Sequence, residues 1–299
     1  MQTIIRRSRM YFPVADIECT PLLPFGVAAL ISFFTSMGGI SGAFLLLPFQ
    51  MSVLGYVNPG VSATNQLFNI MACPAGIWRY WREGRLLWPV ALTIAAGTLP
   101  GVFLGAVIRI MFLPDPGQFK VFAGVVLLFI GGRVACSMRG GAHSSLNLSR
   151  KGTVKVTSYG ISGMSFTFQG GQYDLSTKAL LLLSMAVGLV GGIYGIGGGA
   201  IMAPFLISFF GIPVYVTAGA TLMATALTSL AGVLFFSLLS PLYPNLSVAP
   251  DWRLGLLIGC GGMLGMYFGA RCQKFVPDRI IKLVLAVVLL CVAFCYMAW

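Results

Sequence analysis

Two stretches of this chain, residues 19–78 and 179–250, contain no Asp, Glu, Lys, Arg or His. Each is far longer than the ~20 apolar residues that span a bilayer once, so each must cross or re-enter more than once. Over the whole chain 58% of residues are hydrophobic and 9% charged, against about 25% charged in a soluble domain. Water cannot be the main solvent for such a surface. The expected fold class is an all-α polytopic membrane protein, with the lipid bilayer as its main partner.

Apolar spans read at 22–56, 61–78, 86–108, 121–135, 180–210, 214–239, 254–270 and 283–299. As one helix the first would run roughly 52 Å, well past the ~30 Å hydrocarbon core. Both long spans carry a break: GGISGAFLLLPF at 38–49 and YGIGGGAIMAPF at 194–205. At an offset of 156 they match at Gly39/Gly195, Ile40/Ile196, Gly42/Gly198, Pro48/Pro204 and Phe49/Phe205. Downstream, Gly55 pairs with Gly211, Ala63-Thr64 with Ala220-Thr221, and GVFLGA at 101–106 with GMYFGA at 265–270. This is an internal duplication of the kind common in secondary transporters. It predicts two homologous repeats, each a broken or re-entrant helical hairpin plus three further transmembrane helices.

The expected divisions are 1–136 (N-terminal arm and first repeat), 137–178 (connector) and 179–299 (second repeat). The connector is polar, with Arg139, Arg150, Lys151, Lys155 and His143, the only histidine. Its alternating run KVTSYGISGMSFTFQGGQYDLS reads as a cytoplasmic β-hairpin turning at Gly170-Gly171.

Orientation follows from loop charge. With re-entrant hairpins and an external N-terminus, 13 Lys and Arg lie inside and 6 outside; single tilted spans with an internal N-terminus give the same division. Charge fits both. Length favours the hairpin, and an odd number of full crossings per half then inverts the second repeat.

The formal charge of +12 sits in short loops flanking apolar spans, as the positive-inside bias requires, and calls for no nucleic-acid partner. Arg6, Arg7 and Arg9 precede YFPVADIECT, which has no apolar core, so no cleaved signal is expected. The seven cysteines form no CxxC pair, and Cys73, Cys260, Cys291 and Cys295 read as small apolar packers. No metal or cofactor is expected.

Glycines inside a membrane segment leave backbone N–H groups unshielded, and an unwound turn leading into a helix aims those donors at one spot, an anion site. Irregular backbone at membrane depth survives only where protein or a watery cavity satisfies it, so the two breaks should meet at the centre. Packing of small residues is the competing explanation for any single glycine. After the first break, Asn58, Ser62, Asn65, Gln66 and Asn69 share a helical face; after the second, Thr217, Thr221, Thr225 and Thr228 do. All seven carboxylates, Asp16, Glu18, Glu83, Asp115, Asp174, Asp251 and Asp278, fall outside the expected spans. A carboxylate proton relay is therefore disfavoured, and a small anionic substrate fits. Without a nucleophile–base pair or a His/Cys cluster, an enzyme has little to work with.

The duplicated breaks GGISG and GIGGG, each followed by Pro-Phe, and the GxxxGA elements at Gly101 and Gly265 resemble the sulfite exporter TauE/SafE family, also called TSUP. The first break departs from the second in having Ser41 for Gly197 and Ala43 for Gly199. The resemblance implies a multi-pass transporter of the bacterial inner membrane that moves sulfite, sulfonates such as sulfoacetate, or related anions.

The substrate site expected from the residues joins Gly39, Ser41 and Gly42 to Gly197, Gly198 and Gly199 as N–H donors, completed by Asn65, Gln66, Asn69, Thr221 and Thr225, in an alternating-access carrier. Arg79, Arg82 and Arg85 are expected to anchor the cytoplasmic boundary. A passive anion channel and a membrane assembly or sensor protein are the rival classes. The lipid-facing residues suit a monomer and a homodimer alike.

Overall fold

The computed structural model describes residues 9–139, 153–161 and 163–298. A short hairpin, β1 (Met10–Phe12) with β2 (Ile17–Cys19), precedes five helices: α1 (Leu22–Met37), α2 (Ala43–Ser52), α3 (Gly60–Arg82), α4 (Trp88–Met111) and α5 (Pro116–Arg139). Three strands follow, β3 (Lys155–Tyr159), β4 (Met164–Phe168) and β5 (Gly171–Leu175). Then come α6 (Thr177–Tyr194), α7 (Gly198–Ser208), α8 (Val214–Leu239), α9 (Trp252–Cys272) and α10 (Asp278–Ala298). The two sequence breaks separate α1 from α2 and α6 from α7. By length and apolarity α4, α5, α6, α8 and α9 suffice to cross a membrane. Helix α3 has the length, but Asn65, Gln66 and Asn69 lower its hydropathy, and all three are buried against other helices.

Glycine contacts fix the direction of each helix. Gly261, Gly265 and Gly269 of α9 lie against Phe25, Ala29 and Phe33 of α1, so these two run the same way. Gly255 against Leu67 and Gly259 against Met71 make α3 parallel to α9 as well. Because α1 and α3 point in one direction, α2 between them must turn back. The hairpin, not the single tilted span, is therefore the folding of the first long segment. Consistently, the α2–α3 connection sits beside the N-terminal arm, where Asn58 Nδ2 donates to the Val14 carbonyl at 3.4 Å.

The second half repeats this with new partners. Gly97, Gly101 and Gly105 of α4 lie against Leu181, Met185 and Leu189, so α4 and α6 are parallel. Leu86 beside Gly219 and Phe103 beside Phe235 (ring centroids 5.1 Å apart) make α8 parallel to α4. Helix α7 therefore turns back too. The clasp is crosswise, since α4 of the first half holds α6 of the second and α9 of the second holds α1 of the first. Both GxxxG stripes serve this contact, where an added Cβ would fall under 3 Å from the facing helix. Matching helices oppose one another: Gly76–Leu222 and Gln66–Gly232 run α3 against α8, and Gly124–Tyr296 with Gly131–Leu289 run α5 against α10.

The connector holds a three-stranded antiparallel sheet in the order β3-β4-β5 rather than a lone hairpin. Its β4–β5 turn is Gln169-Gly170, both at positive φ (52° and 80°), as a type I′ turn requires. That is one residue earlier than expected, and Gly171 pairs with Phe168 as the first residue of β5. Met164, Phe166 and Phe168 are buried, and Phe168 stacks on Tyr215 at the start of α8. Val154 N–H donates to the Gly84 carbonyl at 2.9 Å, which ties the sheet to the α3–α4 turn. The connector residues His143, Arg150 and Lys151 lie outside the described residues. Below, the sheet side is the end of the bundle carrying this sheet, and the arm side is the end carrying β1 and β2.

Candidate functional site

The two breaks share backbone geometry that only glycine adopts without strain. Gly39 (φ 70°) and Gly195 (φ 82°) are left-handed at equivalent positions, as are Gly55 (78°) and Gly211 (65°) after the returning helices. All eleven candidate residues are buried, and they gather where α3 crosses α8.

At the first break, Ser41 Oγ accepts from the Ala43 N–H at 3.2 Å and donates to Asn69 Oδ1. Asn69 Nδ2 donates onward to the Ile196 carbonyl (3.0 Å) and to Ser229 Oγ (3.1 Å), so one amide ties the two breaks together. Asn65 Nδ2 donates to the Ala43 carbonyl (2.8 Å) while its oxygen accepts from Gln50 Nε2 (3.2 Å). From the other half, Thr221 Oγ1 donates to the Gly39 carbonyl (2.8 Å) and Tyr194 OH to the Phe44 carbonyl (2.8 Å). Gly42 lies against Ser32 and Phe68.

At the second break, Gly197 is also left-handed (φ 71°), and the place a Cβ would take lies among Ser229 Oγ, Thr228 Oγ1 and the Thr225 carbonyl. Gly198 N–H, first in α7, donates to Thr228 Oγ1 at 3.2 Å. Gly199 lies directly on Thr221 and Thr225. The threonine hydroxyls mostly turn onto their own helix, with Thr225 donating to the Thr221 carbonyl and Thr228 to the Ala224 carbonyl, both at 2.8 Å.

This geometry revises part of the donor assignment. Gly39 N–H is spent on the Ser36 carbonyl (3.0 Å) and Gly198 N–H on Thr228, so neither points to an open site. Asn65 and Asn69 are staples. Gln66 differs: it is fully buried, neither Oε1 nor Nε2 has a partner, and its amide presses on the bare Cα of Gly232. Ser32 Oγ, Thr35 Oγ1 and Gln50 Oε1, all in the first hairpin, are buried without partners as well. Each such group costs about 1–3 kcal/mol. An apolar crevice of about 410 Å³ where the sheet meets α4 and α6, lined by Leu92, Ala96, Ile161 and Leu181, contains none of these residues.

Several contributors escaped the sequence reading. Thr98 of α4 packs on Gly198 with its hydroxyl bonded to the Ile94 carbonyl at 2.8 Å; it is the lone hydroxyl in the run IAAGTLPG, which is a weak signal. Ser229, beside Thr228, extends the threonine series by one position. Arg85 is not a boundary anchor. It is buried, donates to Glu83 (2.7 Å), Gln273 (2.8 Å) and the Tyr215 carbonyl (3.3 Å), and lies 3.0 Å above the Tyr215 ring. Arg79 pairs with Glu83 at 2.6 Å, and Arg82 lies 5.9 Å from the Trp78 ring centre. Asp251 is buried too, but as the cap of α9: it accepts from Leu254 N–H (3.0 Å) and from Val14 and Ala15 N–H of the arm.

Residues 24–296 match the family described as Sulfite exporter TauE/SafE. The chain belongs to that family. It is 24% identical over 267 residues to the probable membrane transporter protein YunE of Bacillus subtilis (strain 168), covering 85% of this chain and 89% of that one. A probable membrane transporter protein of Xylella fastidiosa (strain 9a5c) is 23% identical over 275 residues, 89% of this chain and 92% of that one. Probable membrane transporter protein MJ0441 of Methanocaldococcus jannaschii aligns over 133 residues at 27% identity, 42% of this chain and 46% of that one. No solved structure matches the present chain. This TauE/SafE member is thus a multi-pass protein of a family of membrane transporters.

Proposed function

We propose that this chain carries a small oxyanion, sulfite or an organosulfonate such as sulfoacetate, across the bacterial inner membrane by alternating access. The substrate binds beside Gln66 where α3 crosses α8, with the glycine turns at 41–42 and 197–199 as walls. The observation that carries this reading is the Gln66 side chain, an amide sealed between the two halves with both ends unpartnered. Such a group is costly unless a polar ligand answers it in some state of the cycle. The family assignment supplies sulfur; the buried polar crossing supplies "small and polar" on its own.

Alternating access needs two similar gates of opposite orientation. The antiparallel pairing of α3 with α8 and of α5 with α10 supports inverted repeats, because an axis along the membrane normal would leave matching helices parallel. The sheet side, to which the hairpin folding assigns 13 of the 19 Lys and Arg, is then cytoplasmic. In the state described, the eleven residues are sealed from both faces, as an occluded carrier would be.

The test is uptake of labelled sulfite and of a small sulfonate into proteoliposomes holding only this protein, with and without a pH gradient. Saturable uptake, lost in folded Gly198→Leu, is the expected result. Full uptake by Gly198→Leu would remove the site assignment, and no flux from folded wild type would remove the substrate class.

A further inference from the structure

Arg109 lies in the last turn of α4, on the arm side. Its side chain is 0% exposed. The guanidinium carbon stacks 3.8 Å above the Phe119 ring, and Nη1 donates to the Leu113 carbonyl just past the end of the helix. Nε and Nη2 are buried with no partner, and no carboxylate pairs with this arginine among the described residues. Those two nitrogens form the side-on edge of the guanidinium, the parallel N–H fork that grips two oxygens of one oxyanion. A buried, half-used cation is among the costliest features a fold can retain.

A capping role does not account for the fork. Around the nearby α6 terminus, Gly191 O accepts from Gly195 and Ile196 N–H, Ile193 O from Ser62 and Ile196 O from Asn69, while Arg109 bonds only the Leu113 carbonyl of its own end. The repeat makes the contrast sharper. Aligning GVFLGA with GMYFGA places Gln273 opposite Arg109, and Gln273 does cap its hairpin, donating to the Met37 carbonyl at 2.7 Å and accepting from Arg85. One copy therefore has a neutral, satisfied amide where the other has a cation with a free edge. Location adds to this. Gly105, one turn before Arg109, packs on Gly192 and Ile193, so Arg109 stands level with the end of α6 and the second break. Phe119 beneath it neighbours Tyr194, whose hydroxyl bonds the start of α2. The phenol of Tyr56, on the arm-side loop, is within electrostatic reach of the guanidinium and bonds Thr64 Oγ1 at 3.0 Å.

We propose that the Nε/Nη2 edge of Arg109 is an anion-holding site on the arm side, through which a small tetrahedral or pyramidal oxyanion passes to or from the glycine breaks. Its ligand class rests on the carrier reading above; its geometry does not. The edge gives the arm side a buried cation with spare donors, whereas Arg85, the buried arginine of the sheet side, has all three of its nitrogens bonded.

Two measurements on the full chain test this. In detergent, with ¹⁵N-arginine label, the Nε–H resonance that vanishes in Arg109→Lys should shift saturably as sodium sulfate or sulfite is added. In proteoliposomes, Arg109→Gln should raise the KM for sulfite at least tenfold with a smaller change in kcat. The proposal falls if no arginine Nε–H responds to either anion, or if folded Arg109→Gln keeps the wild-type KM. Should Arg109→Gln fail to fold, the wild-type titration still decides. A shifting Arg109 resonance in protein that moves no sulfur anion would retain this site and remove the carrier reading, whereas sulfite transport without any shift would do the reverse.

Discussion

At the first glycine break Ser41 caps its own helix, α2, with its own hydroxyl; at the second, Gly197 has no side chain and Thr228 reaches across from α8 to cap α7. The same fold position is thus secured locally in one half and from a neighbouring helix in the other. The polar partners differ likewise. Amides from α3 hold the first hairpin, and threonines that mostly satisfy themselves on α8 line the second. The unpartnered buried groups of Ser32, Thr35, Gln50, Gln66 and Arg109 belong to the first half. Duplication copied the scaffold here, and the chemistry then diverged on it: the second half supplies a closed wall and the first half the spare hydrogen-bonding capacity.

The largest effect expected from this contrast is at Gly199. Gly199→Val drives its side chain into Thr221 and Thr225 and should lower sulfite uptake more than 100-fold in protein that still elutes as a folded species. The aligned position in the first half is already Ala43, so Ala43→Gly should leave uptake within about twofold; equal sensitivity at both positions would erase the asymmetry. Next is Asn69→Leu, which removes the amide joining both breaks and strands the Ile196 carbonyl. Thermal unfolding in detergent should show a loss of ~2–4 kcal/mol, more than for Asn65→Leu, whose bonds stay within the first half. Gln66→Leu should separate stability from function: removing an unsatisfied amide should leave stability unchanged or raise it by ~1 kcal/mol while uptake drops at least tenfold. Undiminished uptake would mean that Gln66 serves packing alone. Ser41→Gly removes one of the two differences between the breaks, loses a local cap and should cost ~1 kcal/mol in thermal unfolding with transport retained. Gly197→Ser should be worse than its mirror image, because its positive φ and the crowding by Ser229 both oppose a side chain.

The smallest expected effect lies outside the bundle. Hydrogen bonds from Ser165 and Gln172 hold the Asp174 carboxyl below its usual range. A depressed carboxylate adds stability that is present above its unfolded value and fades as pH falls through the folded one. The sheet should therefore be insensitive to pH between about 5 and 8 and loosen only in acid below the ordinary carboxylate range. A titration of the Asp174 carboxyl by NMR would show it.

Much of the scaffold was legible in the sequence because its signals are local. A left-handed glycine, a proline six residues after Gly42 and a run of apolar residues mean the same thing wherever they stand, and so the breaks, the offset of 156 and the GxxxGA elements all mark real features of the fold. What the sequence left open depended on distant contacts. Loop charge divides in the same way for hairpins and tilted spans; length favours the hairpin, and the packing of α9 on both α1 and α3 decides for it. Asn65, Gln66 and Asn69 look alike on a helical face, yet two are staples and one is unpartnered, a distinction made by carbonyls more than 100 residues away in the case of Ile196. Arg85 read as a boundary residue because its loop is polar; its burial depends on Gln273 and Tyr215 from the other half. Arg109 stands one residue beyond the expected span, and its burial against Phe119 is what places it inside.

The crosswise clasp also governs how such a chain is made. α1 emerges early, but the glycine stripe it packs on belongs to α9, which is synthesised more than two hundred residues later. At about 5–20 residues per second the wait is tens of seconds. During that interval the first hairpin carries its broken turn without its permanent neighbour, in or near the membrane. The protein cannot be assembled one half at a time, and a truncation after α8 should leave the first half as a target for membrane quality control rather than a smaller working unit.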